Sequence, residues 1–423
     1  MSKWPVTSLQ GKLHIKHGYP FKSEYFSDSG HYIVLTPGNF YEEGGFKRQA
    51  GKEKYYLGEI PEEYLHSKGD LIVAMTEQAA GLLGSCAFVP ADDIYLHNQR
   101  LGLISTDPNK LDLSFVYYLF QTKSVREQVR LTSTGSKVKH TSPERLYAVK
   151  APLPSVFEQK KIAAILSAID AKIECNNRIN VELAAMAQTL YDYWFVQFEF
   201  SDANGKPYKS SGGKMVYSAT LKREIPEGWS DGTLENLGRI MGGSTPSTEN
   251  PNNFTVNGTP WITPNDLSSN RGNKFISRGM QDVSDEGIKS ASLKKAPAGT
   301  VLLSSRAPIG YMAIARAELT TNQGFKSFIP TKEFSTAFIY YTVKGSLKTI
   351  IQYSSGSTFK EVSAGVLKTV KIVLPKSNVV EQFTDSVKSI FKRQDVLEQE
   401  NYQLAQLRDW LLPLLMNGQV TAA

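Results

Sequence analysis

The 423-residue sequence contains only two cysteines, Cys86 and Cys175. Two thiols are too few for a disulfide framework or a thiolate metal site, and this scarcity favours a reducing compartment. No run of about 18 apolar residues occurs, which argues against a membrane span. The N-terminal segment also lacks the apolar stretch that a signal peptide needs. We therefore expect a cytoplasmic protein that does not enter a membrane.

Signatures of common catalytic sites are missing as well. Residues 135–137 (Gly-Ser-Lys) resemble the end of a phosphate-binding loop, but the first glycine of that motif is absent. The six histidines are scattered, with only His14 and His17 close together, so no metal site is predicted. Residues 250–254 distantly resemble the Asn-Pro-Pro-Phe loop of adenine methyltransferases, but they lack the second proline, and a turn is the preferred interpretation. Catalytic residues are therefore not predicted.

Length and charge set the broad class of the protein. A chain of 423 residues is longer than a single hydrophobic core usually supports, so at least two domains are expected. The formal net charge is +7 and the pI is near 9.0. Lysine and arginine gain affinity for polyphosphates by releasing counterions, so a polyanionic partner is permitted, although charge alone does not identify one.

The second half of the chain repeats the motif order of the first. Residues 150–154 (KAPLP) match residues 371–375 (KIVLP) after a shift of 221 positions. Further pairs with similar shifts are Trp4 with Trp229, Thr36-Pro37 with Thr263-Pro264, Gly84 with Gly310, Asn98-Gln99 with Asn322-Gln323, and Glu158-Gln159 with Glu381-Gln382. Their conserved order predicts two copies of one structural unit.

A heptad pattern follows each Leu-Pro. The predicted seam residues are Ile162, Leu166, Ile169, Ile173, Asn176, Asn180, Leu183, Leu190 and Trp194, then Phe383, Val387, Ile390, Leu397, Asn401, Leu404 and Leu411. So narrow an apolar stripe on long helices is typical of a coiled coil, and the intervening linker favours antiparallel pairing of the two helices. Pro413 is expected to end or kink the second helix and to leave Leu415 outside the seam.

Polar residues interrupt the seam. Matching the midpoints of the two helices places Asn176 opposite Asn401 and Asn180 near Leu397. One interpretation is that the buried amides define the helix register, because a slipped pairing leaves them without partners. The other is that they only mark a solvated stretch of the helices. The sequence does not separate the two.

The remaining sequence predicts mixed α/β domains. Strands are expected at 32–35, 70–75, 261–263 and 300–303, and amphipathic helices at 113–129 and 336–351. The predicted fold class is α+β: two mixed α/β domains separated by two long helices in an antiparallel coiled coil, with an internal pseudo-two-fold repeat. The predicted bounds are 1–154 for the first domain, 155–196 for the central helix, 197–225 for an exposed linker, 226–376 for the second domain and 377–423 for the C-terminal helix.

Polar loops are the candidate binding elements. The candidate DNA-contacting residues are Arg100, Gly135, Ser136, Lys137, Lys139, Arg306, Gly356, Ser357, Thr358 and Lys360. The loops 135–139 and 356–360 suit either phosphate contact or a shared turn, and Arg100 and Arg306 have the reach to contact bases. The Asn-Gln pairs recur in both halves, where target bases should differ, so a structural role is favoured for them.

These motifs together resemble the specificity (S) subunits of Type I restriction–modification systems. The resemblance covers essentially the whole chain, and it rests on an ensemble of short motifs. The residues that carry it are 153–154, 158–159, 193–195, 225–229, 243–246, 261–267, 322–323, 374–375 and 381–382.

The resemblance implies that each globular half is a target-recognition domain, which reads one half of a split sequence in double-stranded DNA. It also implies that the helices dock two methyltransferase (M) subunits and that restriction (R) subunits join them. S-adenosylmethionine, ATP and Mg then belong to the partners, and this chain is not an enzyme. A spacer of about 33 residues is about 50 Å long, more than one duplex turn. The alternative is a coiled-coil scaffold or adaptor without specific DNA binding.

Overall fold

The computed structural model describes residues 3–77, 81–306, 308–354 and 361–421. The chain forms two compact units, Met1–Ile173 with Gln403–Ala423, and Glu174–Tyr402. Each unit therefore combines one globular half with a segment of each long helix. Among the described residues, no helix is both long and apolar enough to cross a membrane.

The first unit carries two four-stranded sheets, with strand orders β2-β10-β6-β8 and β3-β5-β4-β9, and two small two-stranded sheets, β1-β12 and β11-β7. Its elements, with the long central helix that follows them, are β1 Val6–Ser8, β2 Leu13–His17, β3 Phe26–Ser27, β4 Tyr32–Leu35, β5 Tyr55–Tyr56, β6 Leu71–Ala74, β7 Thr76–Glu77, β8 Cys86–Phe88, β9 Tyr95–His97, β10 Leu101–Thr106, α1 Leu113–Leu119, α2 Lys123–Leu131, β11 Lys139–His140, α3 Pro143–Tyr147, β12 Lys150–Pro152 and α4 Val156–Tyr191.

The second unit carries sheets of order β16-β24-β21-β22-β19, β17-β20-β18-β23, β15-β25 and β13-β14. Its elements are β13 Met215–Ser218, β14 Arg223–Pro226, β15 Ser230–Thr233, β16 Arg239–Gly242, β17 Phe254–Thr255, β18 Thr259–Ile262, α5 Pro264–Ser269, β19 Phe275–Ile276, β20 Gln281–Val283, α6 Asp285–Ser290, β21 Val301–Leu303, β22 Met312–Ala315, β23 Thr320–Thr321, β24 Lys326–Ile329, α7 Thr336–Gln352, α8 Ala364–Thr369, β25 Lys371–Leu374 and α9 Ser377–Met416.

The two units share one strand topology. Sheet β3-β5-β4-β9 corresponds strand for strand to sheet β17-β20-β18-β23. In each of them one pair is parallel, β4 with β9 and β18 with β23, while the other pairs are antiparallel. We call these two sheets the matched sheets. The repeat predicted from the motif order is therefore present in the fold.

Strand β6 shows why the predicted core strands are continuous apolar runs. Leu71 and Val73 pack into one hydrophobic core, whereas Ile72 and Ala74 pack into another on the opposite face of the strand. Side chains of a strand alternate between its faces, so a strand covered on both faces needs apolar residues at every position. Strand β21 in the second unit alternates between two cores in the same way.

The helix predicted over 113–129 is wrong in one respect, because it is two helices. Helix α1 ends at Leu119, and Thr122 has extended backbone dihedrals before α2 begins. The Thr122 hydroxyl accepts a hydrogen bond from the backbone N–H of Val125 and so caps α2. The apolar periodicity continues through this break, which is why the sequence pattern did not reveal it.

Pro413 does not end the second long helix. Helix α9 continues through Pro413 to Met416, and Leu415 is only 1% exposed. Proline removes one backbone donor from a helix, which costs less in the last turn than in the interior. Burial of Leu415 and Met416 in the core of the first unit offsets that cost. The expectation that Leu415 lies outside the packed stripe was therefore wrong.

The two long helices pack antiparallel inside the second unit. Asn176 Nδ2 donates to Asn401 Oδ1 at 2.9 Å, which is the pairing that matched midpoints predict. Gln394 Nε2 donates to the backbone oxygen of Asn180 at 3.1 Å. The residue number of the partner on α9 falls as the number on α4 rises, as antiparallel order requires. Asn176 is fully buried, so the solvated interpretation does not describe it.

The same order of contacts holds inside the first unit. Asp170 accepts a hydrogen bond from Arg408 at 3.0 Å, and Ile162 and Leu166 share a hydrophobic core with Leu415. All of the seam residues predicted on both helices are buried or half-buried. The heptad seam is therefore shielded from solvent along its whole length, and burial of its apolar side chains stabilises the pairing of the two helices.

The predicted linker at 197–225 contains ordered structure. Strands β13 and β14 form a hairpin within and just beyond it. Phe198 and Phe200 are buried, and the ring of Phe200 stacks on Trp229 with centroids 4.9 Å apart. Turn-forming composition concealed these aromatic anchors, which bury enough apolar area to order the segment.

A buried lysine connects the second globular half to helix α9. Lys274 Nζ donates to Gln394 Oε1 at 2.6 Å and to the Tyr341 hydroxyl at 3.1 Å, and it lies 4.0 Å from the centre of the Phe391 ring. Burial, followed by repulsion from Lys344, lowers the pKa of Lys274 to about 7. The lysine is therefore only partly charged at neutral pH.

We expect the free energy of unfolding to rise with pH because of Lys274. Its pKa is about 7 in the folded protein and 10.5 in an exposed lysine, so the unfolded chain binds the extra proton between those values. The increment is about 2 kcal/mol between pH 7 and 9. Urea unfolding at both pH values should show this increment in the native protein and in the Lys294→Met control, which changes an exposed lysine. The increment should be absent in Lys274→Met.

Candidate nucleic-acid interface

A tight turn follows the parallel strand pair of the first matched sheet. Asn98 Oδ1 accepts a hydrogen bond from the backbone N–H of Arg100 at 2.9 Å and closes the turn at the end of β9. The backbone of Gly18 passes so close that a Cβ there would lie 2.0 Å from the Asn98 oxygen. Gln99 and Arg100 are exposed beyond this turn. The turn therefore presents two polar side chains on a fixed backbone.

The second unit builds the same turn. Asn322 Oδ1 accepts from the backbone N–H of Gly324 at 2.9 Å, and a Cβ on Gly243 would lie 2.1 Å from the Asn322 oxygen. Gln323 is exposed at the tip. The structural role that the sequence favoured therefore describes both asparagines. Gln323 Oε1 accepts a hydrogen bond from the Thr245 hydroxyl, which holds this glutamine at the tip while its side chain stays exposed.

A second segment joins each turn through matching backbone hydrogen bonds. In the first unit Met75 N donates to Arg100 O, and Thr141 N donates to Met75 O, both at 2.9 Å. These bonds place the Asn98–Arg100 turn, the start of β7 and the loop 134–141 side by side. We call these three segments the first recognition edge.

Corresponding hydrogen bonds occur in the second unit. Ser305 N donates to Gly324 O at 2.7 Å, and Val362 N donates to Ser305 O at 2.9 Å. We call residues 322–324, 304–306 and 361–362 the second recognition edge. The two edges therefore share a backbone framework, while the side chains that they carry differ.

The loop 134–140 is a hairpin-like turn. Thr134 and His140 exchange two backbone hydrogen bonds of 3.0 and 2.8 Å. Gly135 has φ +99, and a Cβ there would lie 2.0 Å from Val138 O, so this position requires glycine. The other predicted contact residues of this loop are Ser136, Lys137 and Lys139, and all three are exposed.

Positive charge is concentrated on the first recognition edge. Within the described part of the chain, Arg100, Lys137 and Lys139 form no ion pair. His97 adds no charge, because burial and then the neighbouring His66 lower the pKa of its ring to about 3. Exposed cations on a backbone held by hydrogen bonds are suited to phosphate contact.

A buried carboxylate at the end of β7 binds the backbone of residues 81–83. Glu77 is 7% exposed, and its Oε2 accepts from the backbone N–H groups of Gly81 and Leu83 at 3.0 and 2.8 Å. Arg126 donates to the backbone oxygens of Glu42, at 2.6 Å, and of Gly81. Burial lowers the pKa of Arg126, which remains a cation. These contacts give the recognition edge a defined shape.

The second unit contains the remaining predicted contact residues. Arg306 is half-buried and directly follows Ser305 on the second recognition edge. Its side-chain Cγ would lie 3.4 Å from a Cβ placed on Gly324, so Arg306 lies against the Asn322–Gly324 turn. The other predicted residues, Gly356, Ser357, Thr358 and Lys360, lie outside the described residues.

The described residues contain no group of three or more His, Cys, Asp or Glu side chains arranged to hold a metal ion. Sequence reasoning missed the loops that precede β5 and β20 at the same end of the matched sheets. Those strands are two and three residues long, too short for an alternating pattern to identify them. The exposed residues Lys47 and Met280 lie in these loops.

The chain matches the model of the Type I restriction modification DNA specificity domain at residues 1–185 and 226–406, which is more than half of its length. The Type I restriction enzyme HindI specificity subunit of Haemophilus influenzae is 25% identical over 405 residues, covering 84% of this chain and 87% of that protein. The MjaIX specificity subunit of Methanocaldococcus jannaschii is 38% identical over 200 residues, but the match spans only 45% of either chain.

A solved structure has the same fold. The crystal structure of the Type-I restriction-modification system S subunit from M. genitalium superimposes with a TM-score of 0.58 and covers 98% of this chain and 96% of that chain. Its sequence identity is 16%, so the likeness concerns the fold. The match of the family model to both halves, over residues 1–185 and 226–406, shows that this chain belongs to the Type I restriction–modification DNA specificity family.

Proposed function

We propose that this chain is the non-catalytic subunit that gives a Type I restriction–modification complex its DNA sequence specificity. The observation that supports this proposal best is the pair of recognition edges, which share one backbone framework and differ in their exposed side chains. Two globular halves that share a backbone framework but carry different contact residues are suited to a DNA target made of two unlike half-sites. Each globular half then recognises one half-site in double-stranded DNA.

Phosphate contact positions the first recognition edge on the duplex. Lys137 and Lys139 are exposed on a loop closed by Thr134 and His140, and they supply the charge that releases counterions from DNA. Arg100 lies on the adjacent turn, where its guanidinium is suited to the O6 and N7 acceptors of guanine in the major groove. In this arrangement the lysines orient the domain and the turn contacts bases.

The long helices provide the docking platform for partner subunits. Outside the seam they expose large apolar side chains, namely Val181 and Met186 on α4, and Val396, Leu407 and Trp410 on α9. Exposed apolar groups of this kind are characteristic of protein interfaces. Two M subunits dock there and R subunits join the complex. S-adenosylmethionine, ATP and Mg are held by those partners, and the complex acts on DNA in the cytoplasm.

The test combines the purified chain with M subunits and a library of random-sequence duplexes. Selection of a bipartite motif, with methyl transfer only when M subunits are present, is the expected result. Methyl transfer by this chain alone would overturn the non-catalytic assignment. Assembly with M subunits but no enrichment of any sequence would favour the alternative, a coiled-coil scaffold without specific DNA binding.

The lysines of the first recognition edge provide a sharper prediction. Lys137→Ala with Lys139→Ala should weaken binding to all duplexes and reduce the slope of log K against log salt by about 2, since each phosphate contact contributes about 0.9. The enriched sequence should not change. Lys206→Ala with Lys209→Ala is the matched control, because both lysines are exposed and belong to the second unit. An unchanged salt slope in the first variant would exclude phosphate contact by this loop.

A further inference from the structure

The second unit exposes two large apolar side chains at one end of its matched sheet. Val256 is 86% exposed and Met280 is 83% exposed. Val256 follows β17 and Met280 precedes β20, and these antiparallel strands pair through Phe254 with Val283 and Thr255 with Asp282. The two residues therefore lie side by side, and they line one shallow depression of about 490 Å³. We call Val256 and Met280 the apolar tip.

The apolar tip lies at the same end of the sheet as the Asn322–Gly324 turn. Strands β17 and β18 are both antiparallel to β20, and β18 is parallel to β23, so β17, β18 and β23 run in one direction. Val256 follows β17 and Asn322 follows β23, while Met280 precedes the oppositely directed β20. All three residues are therefore placed at one end of the matched sheet, beside the second recognition edge.

Hydrogen bonds hold the tip in one shape. Arg278 donates to both carboxylate oxygens of the largely buried Asp282, at 2.8 and 3.0 Å, and to the backbone oxygen of Gly258 at 3.3 Å. Asp266 Oδ1 accepts from the backbone N–H of Met280 at 2.9 Å. The two loops that carry the tip are thus bound to each other and to α5. A backbone held in this way loses little further conformational entropy when the tip binds.

The first unit places a different residue at a comparable position. Asp266 belongs to a capping box with Thr263, and the matching capping box in the first unit joins Thr36 and Asn39. Asn39 Nδ2 donates to the backbone oxygen of Lys47 at 3.3 Å, and Lys47 is exposed. A similar anchor therefore presents a lysine in one half and an apolar residue in the other. Residues that differ on a shared framework are the ones able to distinguish two half-sites.

We propose that the apolar tip contacts base edges in the second DNA half-site and contributes to its sequence selection. This inference rests on the proposed function, and it assigns specificity to Val256 and Met280. An apolar side chain offers nothing to a phosphate, whereas base pairs carry an apolar group in the major groove, the thymine C5-methyl. A tip that touches this group favours one base pair over the others at that position.

The experiment uses the full chain in complex with M subunits and selects bound duplexes from a random library. Val256→Ser with Met280→Gln should reduce discrimination at one or more base pairs of the second half-site by about tenfold, the effect of losing one base contact. Selection at the first half-site should remain unchanged. Val216→Ser with Tyr217→Gln, two exposed residues of strand β13, is the matched control and should select as the native complex does.

Three results would overturn the inference. Selection of the native sequence with undiminished preference by the double variant shows that the tip makes no base contact. An equal loss of affinity for selected and random duplexes assigns the tip to the DNA backbone. Failure to assemble with M subunits at a native unfolding midpoint assigns the tip to a protein interface. A native complex that selects no bipartite sequence refutes the proposed function itself.

Discussion

A chain shortened by one heptad in each long helix should select a DNA target whose unread gap is about three base pairs shorter. Deleting residues 170–176 and 401–407 removes opposite segments, because Asp170 faces Arg408 and Asn176 faces Asn401. Seven residues correspond to about 10.5 Å of helix. Each base pair adds about 3.4 Å to the length of the duplex, so a helix shortened by this amount corresponds to a gap about three base pairs shorter.

The heptad deletion keeps the seam in phase, because removal of seven residues returns each helix face to the same direction. A change of three base pairs also rotates the second half-site by about 100° around the duplex, so we expect weaker binding as well as the shorter gap. The measurement is duplex selection with M subunits present. Deleting only 170–176 is the control and should prevent stable pairing of the helices. An unchanged gap in the paired deletion would refute the spacer role.

Glu398→Ala should lower the free energy of unfolding of the second unit by about 2–4 kcal/mol, because two buried backbone donors lose their acceptor while Arg316 keeps its ion pair with Asp395. Glu398 is 5% exposed on α9. Its carboxylate accepts from the backbone N–H groups of Lys274 and Phe275 at 2.6 and 3.1 Å, and from Arg316 at 2.8 Å. Alanine leaves two buried backbone donors without an acceptor, which adds to the loss of the ion pair between Glu398 and Arg316.

Urea unfolding measures this loss, and Glu381→Ala on the same helix is the matched control because Glu381 is exposed. Glu398→Gln keeps an acceptor oxygen and should cost less than alanine. Glu398 attaches the second globular half to α9. As urea concentration rises, the alanine variant should therefore lose selectivity at the second half-site at a lower concentration than at the first. A midpoint equal to that of the Glu381 variant would show that the network does not stabilise this unit.

The sequence was most informative where a pattern repeats. The heptad spacing predicted two long paired helices, and matching their midpoints placed Asn176 opposite Asn401, which the 2.9 Å hydrogen bond confirms. Helical periodicity is a local property of the chain, so it can be read without knowing the fold. The break before α2 and the continuation through Pro413 were missed because a cap and a distant core decided them.

The candidate interface was harder to predict. Asn98 and Asn322 were correctly expected to be structural because they recur in both halves. The contact loop 134–140 was recognised from glycine and lysine composition, although its role in DNA binding remains a prediction. The apolar tip had no signal in the sequence, because Val256 and Met280 are 24 residues apart and become neighbours only through β17 and β20.

The sequence by itself determined the duplication, the two helices and their antiparallel register, since these depend on periodicity and on the spacing of apolar side chains along one chain. Only the tertiary structure decided which loops form the recognition edges. Those edges depend on hydrogen bonds between segments distant in sequence, such as Met75 with Arg100 and Ser305 with Gly324. A backbone hydrogen bond does not depend on the identity of the side chain. The residues that it brings together therefore cannot be recognised from the amino-acid sequence.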